Sequence, residues 1–147
     1  MNQKLLSIHL SEYFRGLHFI NLRLDRFIYM CSRFSARLNQ FILQGLASGC
    51  VWGLRTAEGD WGVTPSNLKN ALEVMPFWSN KDDAEQVCCE QWLLYSAMPI
   101  DLEEFLEDWL PGMHEDYLQV GVNWCSDLRG AEVDPLDLME LFARKLY

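Results

Sequence analysis

The sequence predicts an α+β domain: a small, largely antiparallel sheet of about four to five short strands with helices packed on it, preceded by a long N-terminal helical segment. Two observations carry that expectation. Apolar residues recur at a 4-3 spacing over residues 6–41, the signature of one stripe on an α-helix. After Gly49 the spacing changes to two, and the two periods then alternate to the C-terminus.

The stripe consists of Leu6, Leu10, Tyr13, Leu17, Ile20, Leu24, Phe27, Cys31, Phe34, Leu38 and Phe41, with Gly16 as its one weak point and Gly45 and Gly49 as its end. Two readings fit it. The stripe is either the seam of a homodimer through residues 6–41 or a helix face packed on the chain's own domain. Phe14, Phe19, Leu22, Ile28 and Met30 widen the apolar face beyond what a coiled coil uses. For residues 31–46 packing on the same domain is the expectation; for residues 1–30 both readings stand. The chain therefore divides into an N-terminal helical extension, 1–30, and a single α+β domain, 31–147. Met30 offers an alternative start, which would leave residues 1–29 outside the native protein.

Period two begins with Cys50, Trp52 and Leu54 on one face, opposite Val51, Gly53 and Arg55. Thr56 to Asp60 reads as a hairpin loop with Gly59 at a positive-φ position, and Trp61-Gly62-Val63 as the return strand. Leu72 to Met75 reads as a strand closed by Pro76. Ser79 is placed to cap a helix whose first turn holds Asp82 and Asp83, with Ala84, Val87, Cys88, Trp92 and Tyr95 on its apolar face. Asp101 and Glu104 form a capping-box pair ahead of Leu102, Phe105, Leu106, Trp109 and Leu110, and Pro111-Gly112 is the expected stop. Leu118, Val120, Val122 and Trp124 alternate as a strand face, Ser126 to Gly130 turns, and Ala131 to Val133 returns. Asp134 then caps a last helix with Pro135 at its first position.

Charge is uneven. The chain carries 12 bases and 21 acids, a net charge of -9, yet residues 1–40 hold six bases and two acids. The remainder is strongly acidic and repels phosphate backbones, which excludes nucleic acid as a partner of the main domain. The bases of the N-terminal stretch are interleaved with apolar residues rather than clustered. Five cysteines, Cys31, Cys50, Cys88, Cys89 and Cys125, include no C-x-x-C pair, so neither a disulfide framework nor a zinc site is expected. Reduced thiols in a cytoplasmic protein fit them better. His9, Glu12, Arg15 and His18 break the N-terminal apolar run, so it does not read as a signal peptide, and no stretch has the ~18 apolar residues of a membrane span.

Four blocks of sequence carry a resemblance: Val51-Trp52-Gly53-Leu54, Val74 to Ser79, Asp101 to Gly112 (DLEEFLEDWLPG) and Val120-Gly121-Val122-Asn123. Together they resemble the bacterial family catalogued as domain of unknown function 2750, over roughly residues 34–147. The resemblance implies a helix leading into a VWGL strand, a strand ending in a turn with proline and tryptophan, an acidic helix opening and an FLEDWLPG-type helix. The second proline expected in that turn is replaced by Ser79. No catalytic residue comes with the resemblance, and residues 1–30 have no counterpart in it.

Motifs for chemistry are sparse. The three histidines, His9, His18 and His114, are scattered, and no G-x-S-x-G, H-E-x-x-H or phosphate-binding glycine loop occurs. No catalytic residue, metal ligand or cofactor is expected. Asp82, Asp83, Glu103, Glu104, Glu107 and Asp108 are the carboxylates available for acid–base work. Their plainer role is stabilising helix N-termini and forming a solvated face, worth about 0.3–1 kcal/mol each at a first turn. Trp52, Trp109 and Trp124 fall on faces expected to be buried. Trp61 and Trp78 sit at strand ends or turns, where core and contact surface are equally expected.

The expected function is a non-enzymatic protein-binding module that uses Trp61, Trp78, Glu103, Glu107 and Asp108 toward a protein partner of basic charge. An immunity- or antitoxin-like inhibitor of a basic partner is one form of that reading. A small-molecule enzyme using clustered carboxylates is the competing class, and it requires a concave site that gathers several of the six acids.

Overall fold

The computed structural model describes residues 32–69, 71–127 and 130–146. The expected helix over residues 1–30, and the part of the seam that falls there, lie outside these residues. The chain forms α1 (Ser32–Ser48), β1 (Cys50–Thr56), β2 (Thr64–Pro65), β3 (Glu73–Phe77) and α2 (Lys81–Val87). A 3-10 turn at Glu90–Trp92 leads to β4 (Tyr95–Asp101), followed by α3 over residues 102–115. Then come β5 (Leu118–Val122), β6 (Ala131–Val133) and α4 (Pro135–Leu146). The class is α+β, as the two spacings predict.

The strands divide differently from the expectation of one sheet. A two-stranded sheet pairs β1 with β4, and a four-stranded sheet runs in the order β2-β3-β5-β6. Its central pair, β3 with β5, is parallel, with Met75 opposite Val120 and Phe77 opposite Val122. Parallel pairing needs a long crossover, and α2, β4 and α3 supply it. The expected return strand at Trp61-Gly62-Val63 shrinks to one bridge, Arg55 with Trp61. The turn itself forms: Gly59 takes φ 102° and its N–H donates to the Thr56 carbonyl at 3.1 Å. Beyond the turn β1 is claimed by β4, a strand that alternation alone does not reveal because Met98 and Pro99 interrupt it.

Pro76 and Pro99, two of the three prolines inside strands, are tolerated for the same reason. The Asn123 N–H donates to the Phe77 carbonyl at 2.9 Å, while Trp78 exchanges backbone bonds of 2.7 and 2.8 Å with Trp52. Alternation along β3 therefore turns Pro76 away from β5, between the end of the β2 pairing at Val74 and the Trp52 bridge. Its missing N–H costs no ladder bond, so the strand continues to Phe77 instead of closing at Pro76. Pro99 lies opposite Trp52, whose N–H and C=O are both engaged by Trp78. It therefore faces the outer edge of β4, where proline discourages indiscriminate strand pairing.

Caps follow local chemistry. Asn80, not Ser79, caps α2, its Oδ1 accepting from the N–H groups of Asp82 (2.8 Å) and Asp83 (3.4 Å). That helix ends at Val87, and Tyr95 belongs to β4. Asp101 caps α3 through the N–H groups of Glu103 (2.9 Å) and Glu104 (3.4 Å). Glu104 does not return the bond to the cap; its Oε1 accepts from the Trp109 indole at 3.1 Å. Asp134 caps α4 as expected, accepting from Leu136 N–H at 2.9 Å.

The helix α3 does not stop at Pro111-Gly112 but runs on to Glu115. A proline inside a helix lacks a donor, and its ring crowds the carbonyl four residues back. The turn at Phe105–Trp109 is a π turn, with the Leu110 N–H donating to the Phe105 carbonyl. That wider turn lies just upstream of the proline and gives the ring room.

The main core is a chain of edge-to-face rings. Phe41 of α1 meets Phe105 of α3 at 6.3 Å and Phe142 of α4 at 6.1 Å, and Phe105 meets Phe77 of β3 at 5.0 Å. All four are fully buried, and each contributes about 1.5–3 kcal/mol of burial. Helix α1 is thus packed on its own domain, as expected for residues 31–46. A second cluster gathers Leu54, Val74, Trp78, Ala84, Val87, Trp92 and Trp124 between the two sheets and α2.

Candidate functional site

Between α1, α2 and the end of β5 the surface opens into a cleft of about 320 Å³, near the lower end of the usual range for small-ligand sites. Each helix contributes an i, i+3 pair to its lining. Helix α1 presents Arg37 and Gln40, and α2 presents Asp83 and Gln86. Trp78, Asn123, Trp124, Cys125 and Ser126 complete it. One wall therefore carries a cation and an amide, the other an anion and an amide.

The cation is held in place. One guanidinium nitrogen of Arg37, Nη1, donates to the Asn123 carbonyl at 3.3 Å and to Cys125 Sγ. Asn123 returns a bond from its Nδ2 to the Arg37 carbonyl at 3.4 Å. The same amide accepts from the Ser79 N–H at 2.9 Å and donates to Ser79 Oγ at 3.1 Å. Ser79 Oγ in turn donates to Gln44 Oε1 at 2.7 Å, back on α1. Asn123 can close these bonds because it adopts φ 45°, a left-handed conformation that asparagine tolerates better than most residues. The loop after β5 is thereby tied to α1 and to the turn before α2. Neither Arg37 nor Asp83 has an ion-pair partner among the described residues.

The residues singled out by sequence do not converge on this cleft. Trp78 lines its floor but is fully buried, so the turn position did not make it a surface residue; its indole donates to the Trp124 carbonyl at 3.0 Å. Trp61 is half-buried, edge-on to Trp109 at 4.7 Å, with the Arg55 guanidinium 5.3 Å above its ring. Glu103 is half-buried, and Glu107 and Asp108 are exposed, all three on α3. Of the six carboxylates considered for catalysis, Asp83 alone lines the cleft. Among the described residues no group of three or more His, Cys, Asp and Glu side chains is arranged to hold a metal ion. Also among them, no helix is long and apolar enough to cross a membrane.

Arg37 and Asn123 were not legible as a pair. They stand 86 positions apart, and only the closing of α1 over the end of β5 brings them together.

The family model described as protein of unknown function (DUF2750) matches residues 38–142, which is most of the chain. The chain belongs to that family. The match begins inside α1 and ends inside α4, so it spans every strand of both sheets. Gln40 and Gln86, Asp83, Trp78 and the Asn123–Ser126 segment all fall within the family region, and Arg37 lies one residue before it. No curated protein and no solved structure matches the chain.

Proposed function

We propose that this member of the family is a non-enzymatic protein-binding module of the bacterial cytoplasm whose partner is basic. One observation carries the reading. Between Lys81 and Arg129 the sequence holds twelve acids and neither lysine nor arginine. Eleven of the twelve are exposed and the last, Glu103, is half-buried. This stretch includes α2, β4 and α3, so the acidity covers one continuous run of elements.

Apolar side chains stand out within that field. Leu93 is 69% exposed and Leu94 81%, both in the turn before β4, and Met98 on β4 is 38% exposed. Large apolar groups rimmed by charge are the usual form of a contact surface. The acids would steer a basic partner and suppress acidic ones, while the leucines would supply buried area. The free thiols at Cys50, Cys88, Cys89 and Cys125 suit a reducing compartment. An inhibitor that covers the working surface of a basic protein is one form of such a module. The carboxylate-enzyme reading has less support, because only Asp83 of its six acids lines a cleft.

The test is a photo-crosslinking residue placed at Leu94 in the native cell, with a second placed at Ser126 as control. The expected result is a discrete adduct with a basic protein from the Leu94 position alone, lost in Leu93→Glu. The purified pair should then weaken steeply as salt is raised. Absence of an adduct, or a complex indifferent to salt, overturns the proposal.

A further inference from the structure

We infer that the cleft between α1 and α2 binds a small zwitterion, a molecule of the α-amino-acid class that carries a carboxylate and an ammonium group. Arg37 and Asp83 line the same cleft and do not form an ion pair with one another. A guanidinium offers five N–H donors in a fixed fork. In Arg37 the only partners among the described residues are the Asn123 carbonyl and Cys125 Sγ, both reached from Nη1. The remaining donors are available to a carboxylate, the group that fork fits best. Asp83 places an acceptor for a cation on the facing helix.

The charge pattern selects among ligand classes. A simple carboxylate would satisfy Arg37 and be repelled by Asp83. A polyamine would meet the reverse, and a neutral molecule would engage neither charge. Only a ligand with both charges complements both walls at once. Gln40 and Gln86, each one turn from the charged residue on its helix, add a donor and an acceptor on either side. The cleft volume of about 320 Å³ restricts the ligand to a small molecule.

Preorganisation strengthens the case. Asn123 is buried and fixes the Arg37 main chain and guanidinium together, and Ser79 fixes Asn123. The arginine therefore has less side-chain freedom to lose on binding than a surface arginine usually has. Trp78 and Trp124 lie buried beneath the cleft and keep its base rigid. Of the acids in the proposed docking surface the cleft shares only Asp83, and it includes neither Leu93 nor Leu94, so either proposal can fail without the other.

The experiment titrates the full chain with each of the twenty standard free amino acids by ligand-detected NMR and calorimetry. For each one that binds, its N-acetyl and its carboxamide derivative are then tested. The expected result is saturable binding of at least one free amino acid, weakened at least tenfold by either derivatisation. Arg37→Gln and Asp83→Asn should each weaken it at least tenfold while each variant keeps a cooperative thermal transition. Both side chains are exposed, so the variants fold. The inference is overturned if no free amino acid binds at millimolar concentration. It is equally overturned if an N-acetyl or carboxamide form binds as tightly as its parent, or if both folded variants bind as well as the natural chain.

Discussion

The indole N–H of Trp78 donates to the main-chain carbonyl of Trp124 at 3.0 Å, and the indole N–H of Trp124 donates to the carbonyl of Ala131 at 2.9 Å. Two buried rings thus connect the end of β3, the end of β5 and the start of β6 in one line of hydrogen bonds. Both residues belong to the smaller core cluster that seats α2 against the sheets. The same two rings underlie the cleft, so its base depends on core packing, while Asn123, Cys125 and Ser126 of the loop after β5 also line it.

Truncating that floor is costly. Trp78 is fully buried, so Trp78→Ala removes a large ring that its surroundings cannot replace and is expected to cost about 3–5 kcal/mol. Trp78→Phe keeps most of the apolar area but leaves the Trp124 carbonyl without its donor, a loss of about 1–3 kcal/mol. Urea denaturation of the two variants checks the order. Equal midpoints for the two would mean that the hydrogen bond and the ring volume matter in a different proportion.

Asn123 combines a strained conformation with a saturated amide, and the two contributions separate by substitution. Asn123→Ala loses the bonds to Ser79 and to the Arg37 carbonyl and also places an ordinary side chain at φ 45°. Asn123→Gly loses the same bonds without the conformational cost. The alanine variant is expected to be the less stable by about 1 kcal/mol, the typical cost of a left-handed position to a residue with a Cβ. Both fall below the natural chain by about 1–3 kcal/mol because Ser79 is left underpaired. Chemical denaturation of the pair gives the difference directly.

Those two residues show what the sequence discloses and what it withholds. The helix α4, its Asp134 cap and the β5–β6 hairpin follow from local pattern, because each is built within a short window. Helix α1 was equally plain, since Phe34, Leu38 and Phe41 carry the 4-3 spacing into it and Gly49 ends it. Strand β4 was not, because Pro99 and Met98 disguise it and its pairing partners in β1 lie 39 to 51 positions away. The parallel pairing of β3 with β5 was hidden for the same reason: register across a long crossover is settled by tertiary packing, not by neighbours. Trp78 was ambiguous because a turn position says nothing about which elements later close over it. The cleft is a tertiary product throughout, with walls from two helices and a floor from two strand ends. The acidic run was legible in composition, but the exposure of Leu93 and Leu94 was not, because the pattern read one helix with Tyr95 on its face where the chain forms a helix ending at Val87 and then a 3-10 turn.

Adjacent thiols should differ in reactivity. Burial pushes the Cys88 thiol above its ordinary range, with nearby Glu85 and then Cys89 adding to the effect, while Cys89 is exposed. Burial and negative charge both disfavour the thiolate, which is the reactive form. At mildly alkaline pH, Cys88 is expected to alkylate more slowly than Cys89, and the gap should narrow as pH rises. The sign for stability follows from linkage. The folded state holds this proton more firmly than the unfolded chain, so the contribution is present at neutral pH and is lost as pH rises through the folded value. Peptide mapping after timed iodoacetamide treatment measures the two rates, and a faster Cys88 would contradict the burial argument.

The last expectation concerns a carboxylate placed in the interior. Glu132 on β6 is only 4% exposed, and it accepts from the Ser66 hydroxyl through Oε2 and from the Asn67 N–H at 2.9 Å through Oε1. Ser66 Oγ itself accepts from the N–H groups of Leu68 (3.1 Å) and Lys69 (2.8 Å). One side chain therefore organises the loop after β2, which has few backbone bonds of its own. Glu132→Gln replaces one of the two acceptor oxygens by an amide donor, which meets either the Ser66 hydroxyl or the Asn67 N–H. Ser66 Oγ already accepts twice, so rotation of its hydroxyl does not fully resolve the clash. The expected loss is about 1–3 kcal/mol, the range for a buried polar group deprived of its partner. Hydrogen exchange distinguishes this from a general weakening. The amides of Asn67, Leu68 and Lys69 should lose protection first in Glu132→Gln, while β5 keeps its own. If protection falls equally across β5 and β6, Glu132 supports the sheet itself rather than the loop that leans on it.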